Sequence, residues 1–192
     1  MAFGSRLGKG RILWVVLFVL FAPEPSFHAG ERSSENTGPS VSQLQFEDAV
    51  PNDPAAWSAA GKAAAMAGDW ARAAAAFREA VRLKPDYAAA WTNLGVAHEF
   101  LGQYTKAVAE YRESIRIKPN DPIVWYNLAN TYEKQDEKTL AIGAYRQALR
   151  LKPDLAEGWY NLGLLYGRQG DHRQAVLAFR EAVRVKPDYP KA

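Results

Sequence analysis

A tryptophan returns every 34 residues, at Trp57, Trp91, Trp125 and Trp159, and it brings its neighbours with it. Three copies begin "WTNLGVAHEF", "WYNLANTYEK" and "WYNLGLLYGR", and the first is looser, "WSAAGKAAAM". Four residues past each Trp stand Gly61, Gly95, Ala129 and Gly163. Sixteen past it are Ala73, Ala107, Ala141 and Ala175, and twenty past it Phe77, Tyr111, Tyr145 and Phe179. Ala80, Ser114, Ala148 and Ala182 follow at +23, and Pro85, Pro119, Pro153 and Pro187 at +28. A fixed period of this length marks an array of supersecondary units, each touching only its neighbours.

Each unit reads as two helices. In the first, Trp, an apolar residue three on, a small residue at +4 and an aromatic at +7 (Tyr132, Tyr166; His98 in the second copy) share one helical face. Asp53–Pro54 and Asp121–Pro122 give a capping acceptor followed by proline in the first turn. Gly68, Gly102 and Gly170 suit a left-handed terminus, with Asp136 in the third copy at modest cost. The second stretch, as in "AAAAFREAVRLK", stops at a proline that cannot continue it. Small residues at +4 and +16 let paired helices approach, and the +20 aromatic and Trp are expected to fill the space between units. No unit buries both apolar faces alone, so the units must stack. The fold expected is all-α, a solenoid of antiparallel helix pairs.

These residues at these offsets resemble the tetratricopeptide repeat over Pro54–Asp188, with units at about 54–87, 88–121, 122–155 and 156–189 in a domain spanning 51–192. The first copy departs most, with Ala60 and Ala64 where Leu and an aromatic stand elsewhere. The resemblance implies a right-handed superhelix whose concave groove is lined by first helices. It also implies a binding module that uses no cofactor, and not a catalyst.

The chain ahead of the repeats has a different character. Arg6, Lys9 and Arg11 precede the apolar run Ile12 to Ala22, the layout of a secretory leader. Eleven helical residues reach about 16 Å against roughly 30 Å of bilayer core. Residues 1–29 therefore read as a signal, either cleaved or kept as an anchor, and 30–50 as a flexible linker rich in Ser, Gly and Glu. Export to a bacterial cell envelope, periplasmic or secreted, is the expectation. His28 lies alone in the linker-like stretch after the apolar run, without the clustering that metal ligands require.

Candidate binding residues come from the repeat positions. Asn93, Asn127 and Asn161 would form a ladder along the groove, donating to and accepting from the backbone of an extended peptide. The repeat region of the O-linked N-acetylglucosamine transferase is similar and uses asparagines this way. Expected beside them are the residues at +1, Ser58, Thr92, Tyr126 and Tyr160, and at +5, Lys62, Val96, Asn130 and Leu164. Family members that clamp a C-terminal carboxylate place cations there. Lys62 is the sole cation among these eight, so no such clamp is expected.

A basic stripe is the second candidate: Arg78, Arg112, Arg146 and Arg180 recur in step with Arg82, Arg116, Arg150 and Arg184. An acidic partner or an anionic membrane could use it, although Glu79, Glu113 and Glu181 dilute its field and cations favour helix C-termini anyway.

Other chemistry is excluded or unsupported. The chain has no cysteine, which removes disulfides and thiolate sites, and a net charge of +3 does not argue for nucleic acid. His98 and His172 occupy places held by aromatics in other copies and read as structural. No phosphate loop or hydrolase motif appears. The uncapped last helix, with Phe179 and Val183, suggests a truncated chain or self-association. The function expected is a scaffold binding a protein or extended peptide. Rival readings are the substrate-recruiting part of a longer enzyme, such as a glycosyltransferase, and a membrane-surface adaptor held in addition through residues 12–22.

Overall fold

The computed structural model describes residues 52–188, and there the chain is eight α-helices in four pairs. First helices are α1 (Pro54–Met66), α3 (Ala88–Phe100), α5 (Pro122–Lys134) and α7 (Ala156–Arg168). Second helices are α2 (Trp70–Leu83), α4 (Tyr104–Ile117), α6 (Lys138–Leu151) and α8 (His172–Val185). The expected leader at 1–29 and linker at 30–50 lie outside the described residues. The helices pack in chain order, each against the next, as a solenoid requires.

Local chemistry sets the helix ends. Asp53 accepts from Ala55 N–H at 2.9 Å and Asp121 from Ile123 N–H at 3.1 Å, with proline following each. Asp69 and Asp171 cap α2 and α8 by accepting from Arg72 and Gln174 N–H. First helices end in a left-handed residue: Gly68, Gly102 and Gly170, and Asp136 at φ 59°. The following N–H then closes back onto the helix, as when Glu137 donates to the Tyr132 carbonyl at 2.9 Å. Asp136 is the non-glycine residue in this conformation among the described residues. Asp136→Gly should therefore stabilise by about 0.5–1 kcal/mol, read as a higher urea midpoint. Its exposed contact with Lys138 at 3.3 Å offsets little of that gain.

The repeated small and aromatic positions meet within each unit. A Cβ on Gly61 would lie 2.7 Å from the Phe77 ring, one on Gly95 2.8 Å from Tyr111, and one on Gly163 2.7 Å from Phe179. The missing Cβ makes the seat for the ring. The +20 aromatic thus fills the space between the two helices of its own unit, and Tyr145 also reaches Asn161 of the next unit at 3.4 Å. Phe179 shows the same seating and is half-buried, while Val183 is exposed.

Junctions between units belong to the tryptophans. The indole N–H groups of Trp91, Trp125 and Trp159 donate to the carbonyls of Pro85, Pro119 and Pro153, at 2.8, 2.9 and 2.8 Å. Each proline ends one unit and its carbonyl anchors the next, which is why Trp and Pro share a period.

Candidate functional site

The expected groove residues divide into two sets. Asn161, Asn130, Tyr160, Leu164 and Lys62 are half-exposed, whereas Thr92, Asn93, Tyr126, Asn127, Ser58 and Val96 are buried. The +1 residues face their own unit's second helix, and that geometry removes Thr92 and Tyr126 from open contact. Thr92 and Ser114 share a hydrogen bond of 2.7 Å between their hydroxyls. The Tyr126 ring meets Tyr145 edge-on at 5.7 Å, and its hydroxyl accepts from Asn161 Nδ2 at 3.0 Å. Tyr160 packs on Phe179 with ring centres 5.6 Å apart. The two tyrosines expected to offer open contact area are therefore largely engaged in packing.

The asparagines behave differently. Among the described residues, three buried side-chain polar atoms have no hydrogen-bond partner: Ser58 Oγ, Asn93 Oδ1 and Asn127 Nδ2. All three lie on first helices, at the +1 and +2 positions expected to line the groove. An orphaned buried polar atom costs about 1–3 kcal/mol, and native proteins carry few of them. Their concentration in these two rows places unmet bonding capacity just beneath the first-helix face, in side chains that are themselves buried. Asn161, the next rung, donates to Tyr126 and sits 3.4 Å from the Tyr145 hydroxyl.

Buried carboxylates lie beneath the same helices. The Tyr111 hydroxyl donates to Glu99 at 3.0 Å, and Thr131 of the next unit donates to the same oxygen at 3.1 Å. Tyr145 donates to Glu133 at 2.6 Å and also to Asn130. Burial raises the Glu99 carboxyl above its ordinary value, against the two donated hydrogen bonds and the Lys134 charge. Burial and these carboxylates push the Tyr111 and Tyr145 hydroxyls well above theirs. The tyrosines remain neutral donors, so the carboxylates are structural acceptors.

His98 is a core residue, 2 % exposed, as its place in the repeat requires. Its Nδ1 lies 2.7 Å from Oε2 of Glu110, a buried carboxylate that nothing in the motif flags. Burial raises Glu110 too, opposed by the hydrogen bond and charge of His98. His172 is exposed at the start of α8.

The arginine stripe is exposed throughout, but much of it is engaged. Arg82, Arg116 and Arg184 pair with Glu79, Glu113 and Glu181 at 2.7–2.8 Å along their own helices. In the other row, Arg112 donates to the Tyr132 hydroxyl at 2.8 Å, and Arg146 lies 5.7 Å from the Tyr166 ring centre. That arginine covers the +7 aromatic of the following unit, which gives a packing reason for its period. Arg150 has Gln147 where its counterparts have glutamate. Two clefts of about 420 and 410 Å³, one repeat apart, open beside Arg112, Trp125 and Leu140 and beside Arg146, Trp159 and Leu177.

Among the described residues no cluster of three or more potential metal ligands occurs, and no helix is long and apolar enough to cross a membrane. Comparison with known proteins agrees with the repeat geometry. Models described as tetratricopeptide repeat match residues 41–87 and 58–122, 110–142 and 156–189, and one described as TPR repeat matches 139–170. A crystal structure of MamA superposes with TM-score 0.72 at 23% identity, covering 79% of this chain and 88% of that one. MamA 41-end from Desulfovibrio magneticus RS-1 gives 0.68 at 25% identity, covering 72% and 78%. These are likenesses of fold. No protein of curated function matches the chain in sequence.

Proposed function

Since the chain belongs to the tetratricopeptide repeat family and is a protein-interaction scaffold, we propose that it holds an extended polypeptide along its first helices, outside the cytoplasm. The observation that carries this reading is the placement of the unpartnered Ser58 Oγ, Asn93 Oδ1 and Asn127 Nδ2 on α1, α3 and α5. A peptide backbone offers a donor and an acceptor at every residue. It meets an asparagine row without needing a particular sequence. Half-exposed Lys62, Asn130, Tyr160 and Asn161 extend the polar surface to either end. No reaction is assigned to it. Export rests on the leader-like residues 1–29.

Peptides selected on the full chain from a random displayed library supply the probe. Asn93→Ala combined with Asn127→Ala should weaken the selected peptides at least tenfold, by titration calorimetry. Stability should change by no more than about 1 kcal/mol, because the side chains lose no protein hydrogen bond. Unchanged affinity with a large stability loss would make the asparagines structural and sink the reading.

A further inference from the structure

The two clefts share a plan. Each is floored by a first helix, through Trp125, Leu128 and Tyr132 in one and Trp159, Leu162 and Tyr166 in the other. Second helices form the walls, and α6 is the ridge between the clefts. Its Leu140 and Gly143 line the first, and its Arg146 and Arg150 line the second. Leu140 and, on α8, Leu177 stand at the rims, 45 % and 47 % exposed. Apolar surface is thus open to water at two places one repeat apart, which marks a contact face more than a lone exposed residue would.

Gly143 is the ridge residue that the fold does not explain. It lies in the interior of α6, where glycine weakens a helix relative to alanine. At Gly61, Gly95 and Gly163 the missing Cβ seats a ring of the same unit, but a Cβ on Gly143 would meet nothing within 4 Å. The residue is exposed, so the space it leaves faces outward, where another backbone can approach closely. The charged groups lining the two clefts are Arg112, Arg146 and Arg150 against Glu181. Glu181 is held by Arg184 at 2.8 Å, and Glu113 on α4 is held by Arg116 at 2.7 Å. α6 carries Lys138, Arg146 and Arg150 and no carboxylate. Asp136 and Glu137 precede its other end, where Lys138 meets Asp136 at 3.3 Å. Arg150 has Gln147 in place of the glutamate that holds its counterparts, so the ridge is cationic beside Gly143.

We propose that this face of the second helices docks an α-helix of a partner protein, at a site separate from the asparagine rows. Two large apolar residues of that helix, seven apart, enter the two clefts. Its backbone crosses the ridge at Gly143, and carboxylates on its flank meet Arg146 and Arg150. The spacing selects a helix over an extended chain. Neighbouring units stack at about 8–10 Å, and an α-helix rises ~10.5 Å over seven residues while returning to the same face. Same-face residues of a strand fall ~6.7 or ~13 Å apart and miss the second cleft. The geometry also selects a protein over a bilayer, which needs apolar groups that project past the cations. Here the arginines cover the floors, Arg112 donating to the Tyr132 hydroxyl and Arg146 lying 5.7 Å from the Tyr166 ring centre.

The test uses the full chain and three labelled, alanine-rich helical peptides, followed by fluorescence anisotropy. The first carries Trp and Leu seven residues apart, with glutamates on its flanks. The second moves the Leu two residues, off that face, and the third keeps the spacing with lysines for glutamates. The first should bind at least tenfold more tightly than either other. Gly143→Gln should weaken it at least tenfold while raising the urea midpoint, because the new side chain blocks the crossing yet favours the helix. A damaged fold does not produce that pair of results. Arg150→Glu should weaken the glutamate peptide and strengthen the lysine one. Asn93→Ala with Asn127→Ala should leave the preference intact, which separates this face from the asparagine rows. Unchanged affinity in Gly143→Gln, or equal binding of the shifted peptide, would overturn the proposal. So would a chain that binds phosphatidylserine vesicles and not the first peptide.

Discussion

Truncating Tyr111 to alanine should destabilise the array by about 3–5 kcal/mol, the range for removing a fully buried aromatic. The ring is 0 % exposed and sits where Gly95 lacks a Cβ, so deletion opens a void with a bare glycine as its floor. Glu99, already held above its ordinary protonation range by burial, would also lose a donor. Tyr111→Phe keeps the ring and loses the hydroxyl, so about 1–3 kcal/mol should go instead. Gly95→Ala alone should cost about 1–3 kcal/mol, because the new methyl meets the ring at 2.8 Å. In the Tyr111→Ala background the same substitution should cost nothing or recover stability, because the clash is gone. Urea midpoints and slopes of the four proteins form a double-mutant cycle that measures the coupling. Additive effects would mean that the ring does not rest on the glycine.

The second large effect concerns His98 and Glu110. Removing the hydrogen-bond partner of a buried carboxylate typically costs about 1–3 kcal/mol or more, so His98→Ala should do so near neutral pH. The loss should shrink in acid, where Glu110, raised by burial, takes a proton and is no longer an unpaired buried charge. Exchanging the pair for the residues of the last two units is a different matter. Tyr132 with Ala144, and Tyr166 with Ala178, fill the same places without charge. His98→Tyr with Glu110→Ala should therefore be neutral or stabilising, although each half alone is costly. The pH dependence follows from the raised Glu110 and Glu99 carboxyls. Above the ordinary carboxylate range, the folded chain keeps protons that the unfolded chain releases. Stability is then fully present below that range and falls as pH rises through the raised folded values. The double replacement should remove the Glu110 share of that slope, measured as urea midpoints from pH 4 to 7.

Much of this architecture is legible in the sequence because the repeat states each rule four times. Trp and Pro share a period since one donates to the other's carbonyl, and glycine recurs where the ring must sit. The fine division of the groove is not legible from the period. Position +1 reads as groove-facing in isolation, but Thr92 and Tyr126 turn toward Ser114 and Tyr145 of their own units. Only the packed helix pair decides that. Other signals were present in departures from the repeat. Where the +20 residue is tyrosine, +8 is Glu99 or Glu133; where it is phenylalanine, +8 is Ala65 or Gly167. The pairing of hydroxyl with carboxylate is written in that covariation. Likewise, Glu110 stands where Ala76, Ala144 and Ala178 stand, in the same unit that carries His98 at the +7 position. Reading the exceptions together locates the buried pair, while reading each position alone does not.

The central claim, that first helices hold the partner, is tested most directly by amide hydrogen exchange of the full chain with and without a saturating library-selected peptide. New protection concentrated in 54–66, 88–100, 122–134 and 156–168 is the predicted result. Protection confined to 104–117, 138–151 and 172–185, the second helices beside the two clefts, would contradict it and place the binding face on the opposite helices.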